Sequence, residues 1–182
     1  MKKLFLVLLL LVVVGTSAFA IDLLSFPPSV QPGNILVNAG LGYATAPLSG
    51  ASIVIPPLVL SVEYALPVEV PISVGALVGF YRWEWTARNI GWVNTYTYFT
   101  FGARANWHWN IDVDWLNLYT GLFLGFTHFS WSTTSEHIPA PSYGGLVFGG
   151  QIGARFFFAN NIGAVIELGF PFVAKAGITL RF

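Results

Sequence analysis

The last eight residues read Lys175-Ala176-Gly177-Ile178-Thr179-Leu180-Arg181-Phe182. Ala176, Ile178, Leu180 and Phe182 share one parity and are wholly apolar. Lys175, Gly177, Thr179 and Arg181 share the other and are polar, charged or minimal. Side chains alternate between the two faces of a β-strand, so a period of two predicts a strand with one greasy and one polar face.

The same alternation runs back through the chain. It predicts strands at about 34–45, 58–66, 72–85, 95–109, 115–131, 144–158, 162–170 and 175–182. Strand four sets Phe99, Phe101, Ala103, Ala105 and Trp107 against Thr100, Gly102, Arg104, Asn106 and His108. Strand five sets Leu116, Leu118, Leu122, Leu124 and Phe126 against Asn117, Tyr119, Gly121, Gly125 and Thr127. Between them lie turn formers: Pro67 to Pro71, Asn110 to Asp114, and Asn160-Asn161. Longer connections fall at Pro47 to Pro57, around Arg88-Asn89-Gly91, and from Ser132 to Tyr143, the most polar of the loops. With no helical connection, consecutive strands must pair antiparallel.

Composition narrows the class. Of the 182 residues 55% are hydrophobic and only 9% charged, against about 25% charged in an ordinary soluble domain. Mean hydropathy is +0.68, yet after the N-terminus no apolar run approaches the roughly 20 residues of a membrane-spanning helix. The hydrophobicity is spread over alternate positions instead. Net charge is zero, so no nucleic-acid partner is expected. The absence of cysteine removes disulfides and thiolate metal sites.

The first 20 residues have the layout of a secretory signal: Lys2 and Lys3, an apolar core from Leu4 to Val14, and Ala18-Phe19-Ala20 as a small-x-small cleavage site. Removing them leaves six basic and eight acidic residues. Residues 21–33 contain Pro27-Pro28 and Pro32-Gly33 and read as a short extended periplasmic lead-in. The remainder, 34–182, reads as one all-β unit.

Sidedness decides the function class. The mid-strand charges Glu63, Arg104, Arg155, Glu167, Lys175 and Arg181 share the face that holds most strand glycines. Lipid demands an uninterrupted apolar band, and a narrow barrel interior has room for glycine, short polar groups and paired charges. The apolar face is therefore assigned to lipid and the charged face to a lumen. Closure into a barrel pairs every backbone N–H and C=O without water. Two aromatic girdles are expected at the membrane surfaces. One consists of Trp107, Trp109, Trp115, Phe156, Phe158 and Phe182; the other of Tyr81, Trp83, Trp85, Trp92, Tyr96, Phe126, Phe129 and Trp131.

The leader, the Gly-alternating strands such as Gly149-Gly150-Gln151-Ile152-Gly153-Ala154-Arg155, and the terminal Phe182 together resemble the small eight-stranded outer-membrane barrels, the group of OmpX, OmpW and the membrane domain of OmpA. Ile55-Pro56-Pro57-Leu58 carries a weaker likeness to OmpW. The resemblance implies an eight-stranded antiparallel up-and-down transmembrane β-barrel, exported to the outer membrane, with both termini periplasmic and long loops outside. Its partners would be outer-membrane lipid, an extracellular ligand held by the loops, and, during biogenesis, the barrel-assembly machinery. That machinery reads a C-terminal signal whose places are filled here by Lys175, Gly177, Leu180 and Phe182.

A turn centred on Asn160-Asn161-Ile162 would set Arg155 opposite Glu167, with Lys175 diagonal on the next strand. An Arg155–Glu167–Lys175 cluster follows, acting as a plug or as a gate. The implied role is structural or surface-interactive, with at most a narrow pore. The alternative is an OmpW-like path for small hydrophobic solutes through a mouth lined by Leu77, Tyr81, Trp83, Phe123 and Phe129.

Catalysis is not expected. His128-Phe129-Ser130 matches the His-x-Ser of PagL, a lipid A deacylase that is also an eight-stranded barrel, and Glu136 could supply the acid. The motif nevertheless sits on strand five instead of near the C-terminus, and Trp131-Ser132 stands where PagL has Asn-Ala. Asp112-x-Asp114 offers too few oxygens for calcium. His108 and His137 lack metal-ligand company. No phosphate loop or dinucleotide fingerprint is present, so no cofactor is expected.

Overall fold

The computed structural model describes residues 25–45, 49–87, 91–134 and 142–182. The signal-like first 20 residues, Arg88-Asn89, Glu136 and His137 lie outside them. Eight strands close into one barrel in sequence order: β1 Ile35–Tyr43, β2 Ser52–Ala65, β3 Ile72–Ala87, β4 Trp92–Trp109, β5 Leu116–Thr133, β6 Ser142–Phe157, β7 Ile162–Gly169 and β8 Ala174–Arg181. Every neighbouring pair is antiparallel, including the closing pair, which runs from Leu36↔Arg181 to Tyr43↔Ala174. Reciprocal 2.9 Å backbone bonds between Ile35 and Phe182 finish the seam. The all-β, eight-stranded up-and-down barrel expected from the alternation is the fold observed.

Sidedness follows the expected parity. Leu122 and Leu124 are 57% and 58% exposed, while Glu63 and Arg155, on the other parity, are completely buried. An apolar groove of about 420 Å³ runs down the outer wall, where Thr120, Gly153 and Ala154 lie low between Leu118, Ile152 and Ile166. A groove of this character suits acyl chains and offers little to water.

Three local expectations need correction. The stretch Pro47 to Pro57 is not all loop, because β2 begins at Ser52. Its pairing with β3 slips between Ile53 and Ile55 and again between Ile55 and Leu58, around Pro56 and Pro57, which have no N–H to give a ladder. The β6–β7 turn, expected over Asn160-Asn161-Ile162, is centred one residue earlier, on Asn160, beyond the last ladder pair Phe157↔Gly163, with Phe158 and Ala159 both donating to the Ile162 carbonyl at 3.2 Å. Arg155 consequently pairs with Val165, while Glu167 pairs with Gly153 across one ladder and directly with Lys175 across the other. The shift is two residues, so all three side chains keep the inward face.

The third correction concerns the lead-in. Its described part, residues 25–33, is not extended but turns twice, with the Val30 N–H donating to the Pro27 carbonyl and the Asn34 N–H to the Gln31 carbonyl, both at 3.0 Å. Ser29 and Val30 are fully buried, and Val30 packs with Leu36, Ala65, Phe157 and Phe26 across the short-turn mouth of the barrel.

The wall is uneven in height. β7 and β8 have eight residues each, β4 and β5 eighteen. The last β6–β7 pair is Gln151↔Gly169, whereas β5 and β6 stay paired to Ser130↔Ser142. β3 to β6 therefore rise as a curved sheet above the rim formed by β7, β8 and β1. On the convex side of this sheet, apolar Phe80, Phe99, Phe126 and Leu146 give way one pleat higher to Arg82, Thr97, His128 and Gly144. That change marks the level at which the outer wall passes from lipid into water.

Candidate functional site

The interior is filled in three tiers. At the short-turn end the lead-in acts as a stopper. Phe26 stacks on His108 with ring centroids 6.2 Å apart. Asn110 Nδ2 donates to Ser25 Oγ at 2.6 Å, and Ser29 Oγ donates to the Leu116 carbonyl at 2.8 Å. Arg181 ties the stopper down: its guanidinium donates to the carbonyls of Ser29 and Asn160 and lies 4.4 Å over the Phe157 ring. Proline at 27 and 28 suits such a segment, because it forms no ladder and need not satisfy the missing N–H groups.

The middle tier is a buried ion network. Glu63 accepts from Arg155 Nη2 at 2.6 Å, Asn38 Nδ2 at 3.1 Å, Ser73 Oγ at 3.0 Å and Asn106 Nδ2 at 2.7 Å, with Arg104 Nε at 3.5 Å. Arg104 also bonds Glu167, and Glu167 in turn holds Lys175. Arg155 completes its donors on Asn38 Oδ1 at 3.2 Å and Asn117 Oδ1 at 2.9 Å, with its guanidinium carbon 4.0 Å above the Tyr119 ring. Burying an ion is tolerable only when it is paired and its other hydrogen-bonding positions are filled, and this network meets both conditions at Glu63 and Arg155. It therefore joins Glu63, Arg104, Arg155, Glu167 and Lys175, but in an order the sequence reading did not foresee. Arg155 answers to Glu63, and Arg104 bridges the two carboxylates. Arg181, grouped with these residues by parity, lies apart at the stopper.

The third tier is apolar. Phe172, from the four-residue connection between β7 and β8, turns inward and is 4% exposed. It packs with Ala44, Val59, Leu77 and Phe123, with Tyr81 and Val147 alongside. Leu77 and Phe123, expected to line an open mouth, are thus parts of a closed layer.

No protein-family model and no curated protein matches the chain. Solved structures do. Neisserial surface protein A aligns at a TM-score of 0.55 and 11% identity over 82% of this chain and 96% of its own. OprG from Pseudomonas aeruginosa aligns at 0.53 and 8%, over 86% and 99%. Ail, the attachment invasion locus protein of Yersinia pestis, in complex with the heparin analogue sucrose octasulfate, aligns at 0.51 and 14%, over 84% and 100%. The fold is that of the small eight-stranded outer-membrane barrels.

In this outer-membrane-type barrel, the remaining predicted mouth residues sit above the apolar tier. Tyr81, Trp83 and Phe129 lie on the concave side of the tall sheet. The same holds for Trp85, Trp92, Tyr96 and Trp131. Of the eight aromatics assigned to the girdle at that end, Phe126 alone has the outward parity. The rings that do face lipid at this level include Phe99, Phe101 and Phe126, in a chain with centroids 5.8 and 6.0 Å apart. Trp115, Phe158 and Phe182 at the opposite rim are exposed, as a girdle requires.

His128 and Ser130 both take outward positions on β5, next to Gly144 and Ser142 of β6. Ser130 therefore points away from the concave face. Sequence reasoning missed Asn38, Ser73, Asn106 and Asn117 as the polar frame of the network, although all four share the lumen parity. Their inward positions were legible; which carboxylate or guanidinium each would meet across the lumen was not.

Proposed function

We propose that this chain is an integral outer-membrane barrel with a non-conducting lumen, whose tall β3–β6 sheet makes contacts at the cell surface. The observation that carries the reading is the three-tier filling of the interior: a folded-in N-terminal segment, a buried ion network, and an aromatic lid. An eight-stranded barrel encloses only enough space for its own side chains or one small ligand, and here the chain's own groups take that space. The ion network acts as a plug that lets the interior pack.

In the same reading the leader is removed on export, the short-turn rim and both termini face the periplasm, and surrounding lipid covers the apolar wall. The residues Lys175, Gly177, Leu180 and Phe182 serve recognition by the assembly machinery. Ail, with the same fold, has been crystallised with a heparin analogue, which supports a surface-contact role for such barrels. The chain is not proposed to be an enzyme, since its His-x-Ser lies on β5 and is followed by Trp131-Ser132 where PagL has Asn-Ala. A hydrophobic-solute path would require Phe172 and Phe123 to leave their layer together.

Ion conductance and solute uptake test the proposal. Purified protein in planar bilayers and in liposomes is expected to match protein-free membranes in both. Stepwise openings, or swelling in small uncharged solutes, would overturn it.

A further inference from the structure

Above the Phe172 layer, the concave side of the tall sheet carries a row of rings in strict register. Tyr81 on β3 pairs with Tyr98 on β4, Tyr98 with Phe129 on β5, and Phe129 with Tyr143 on β6. Their ring centroids are 4.5, 5.0 and 6.4 Å apart, and the outer two contacts, Tyr81–Tyr98 and Phe129–Tyr143, are nearly parallel at 4° and 8°. Tyr96, one pleat higher, stacks on Phe129 at 6.1 Å. The row sits level with the lipid-to-water change on the convex side. It is half-buried along its length and opens at Tyr143, which is 62% exposed.

Below the row, Gly145 leaves open space where a side chain would stand, and Thr100 and Thr127 bring their hydroxyls together at 2.9 Å. Above it, Trp83 keeps a buried, unpartnered indole N–H, and Trp131 donates to Asn94 Oδ1 at 3.1 Å. The acidic and basic residues of this part of the sheet, Arg82, Glu84 and His128, have the opposite parity and face away. Among the described residues, the concave face above Phe172 presents rings, hydroxyls and amides and no charge.

We propose that this row is a binding platform for an uncharged saccharide arriving from outside the cell. Among the described residues nothing on the face balances an ion, so the ligand it suits is neutral. An acyl chain would cover the rings but strand the tyrosine hydroxyls without partners. A pyranose chain satisfies both requirements: its C–H faces lie on the rings and its hydroxyls meet those of tyrosine and threonine. Strands stand about 4.8 Å apart, close to the length of one pyranose ring, so successive sugars can sit over successive strands. The face looks across the barrel axis, away from neighbouring lipid, and the low β7–β8 side leaves it open to solution.

The inference rests on this rim facing outward, which is tested separately. The chain has no cysteine, so Tyr143→Cys creates a single thiol, and a membrane-impermeant maleimide must label it on whole cells. Binding is tested on protein in phosphatidylcholine nanodiscs by tryptophan fluorescence. The probes are maltohexaose, chitohexaose and a sulfated hexasaccharide. At least one neutral hexasaccharide is expected to give a saturable change, with the sulfated one weaker. Tyr98→Ala and Phe129→Ala should each weaken binding about tenfold, the loss of one well-stacked ring. Phe99→Ala, one residue along but on the lipid side, should not. Should the two row variants fail to fold, Tyr143→Ala at the open end supplies the same readout. The platform is refuted by no saturable response to either neutral probe, by equal or tighter binding of the sulfated one, or by affinity unmoved in the row variants. It is equally refuted if nanodiscs containing smooth lipopolysaccharide show the row already occupied by the cell's own sugar chains.

Discussion

Gly79 lies directly beneath the ring of Phe172, so close that the ring occupies the space a Cβ would need. The glycine is required by close approach, since its backbone angles are ordinary for a strand, and the inward turn of the β7–β8 connection depends on it. Gly79→Val should force Phe172 out of its layer and destabilise the barrel by about 1–3 kcal/mol, the usual range for overpacking. Urea unfolding from lipid vesicles reads the loss. Conductance should remain at baseline, because the ion network beneath is untouched.

Within that network the two carboxylates are unequal. Glu63 is met by Arg155, Arg104, Asn38, Ser73 and Asn106 and is completely buried, whereas Glu167, at the upper edge, meets Arg104 and Lys175 among the described residues. Glu63→Gln leaves Arg155 without its counter-ion and should cost about 3–5 kcal/mol, as for other broken buried pairs. Glu167→Ala should cost less. In planar bilayers Glu167→Ala should be as silent as the parent protein, and a new open level in that variant would restore the gate reading.

Arg181 ties the stopper to the barrel, bonding the Ser29 carbonyl on one side and the Asn160 carbonyl of the β6–β7 turn on the other, with its guanidinium over the Phe157 ring of β6. Arg181→Met keeps much of the side chain's length over Phe157 but removes both donated bonds. The expected result is faster amide hydrogen exchange at residues 29–35, with protection in β3 to β5 unchanged. Uniform loss of protection would mean that Arg181 supports the whole barrel instead of the stopper.

Phe182 separates two roles. Its backbone closes the seam with Ile35, and its side chain is 64% exposed on the outer wall. Phe182→Ala keeps the backbone bonds, so refolding into detergent or short-chain lipid should proceed nearly as for the parent. Insertion in cells should fall several-fold if the assembly machinery reads the ring. Equal losses in both assays would make the ring a packing element only.

Ser130→Ala should leave the acylation of lipid A unchanged by mass spectrometry. The serine is on the convex side, two pleats above Phe126, just beyond the point where the wall leaves the hydrocarbon. A lost acyl-chain product would revive the hydrolase reading.

Alternation alone placed all eight strands, seven of them within a few residues and β2 starting six residues too late, fixed which side of each strand meets lipid, and located the five network charges indoors. Those features are local: a strand's faces repeat every two residues whatever it pairs with. Partners across the lumen are not local. Arg155 meets Glu63 from 92 positions away, and a one-residue shift in the centre of the β6–β7 turn was enough to move it off Glu167. The fold-back of residues 25–33 and the inward swing of Phe172 had no period to betray them, because each is a short irregular segment held by surfaces that exist only after the barrel closes. Sequence therefore determined the barrel and its sidedness, while tertiary structure decided that the barrel is filled, since filling depends on which groups converge in three dimensions.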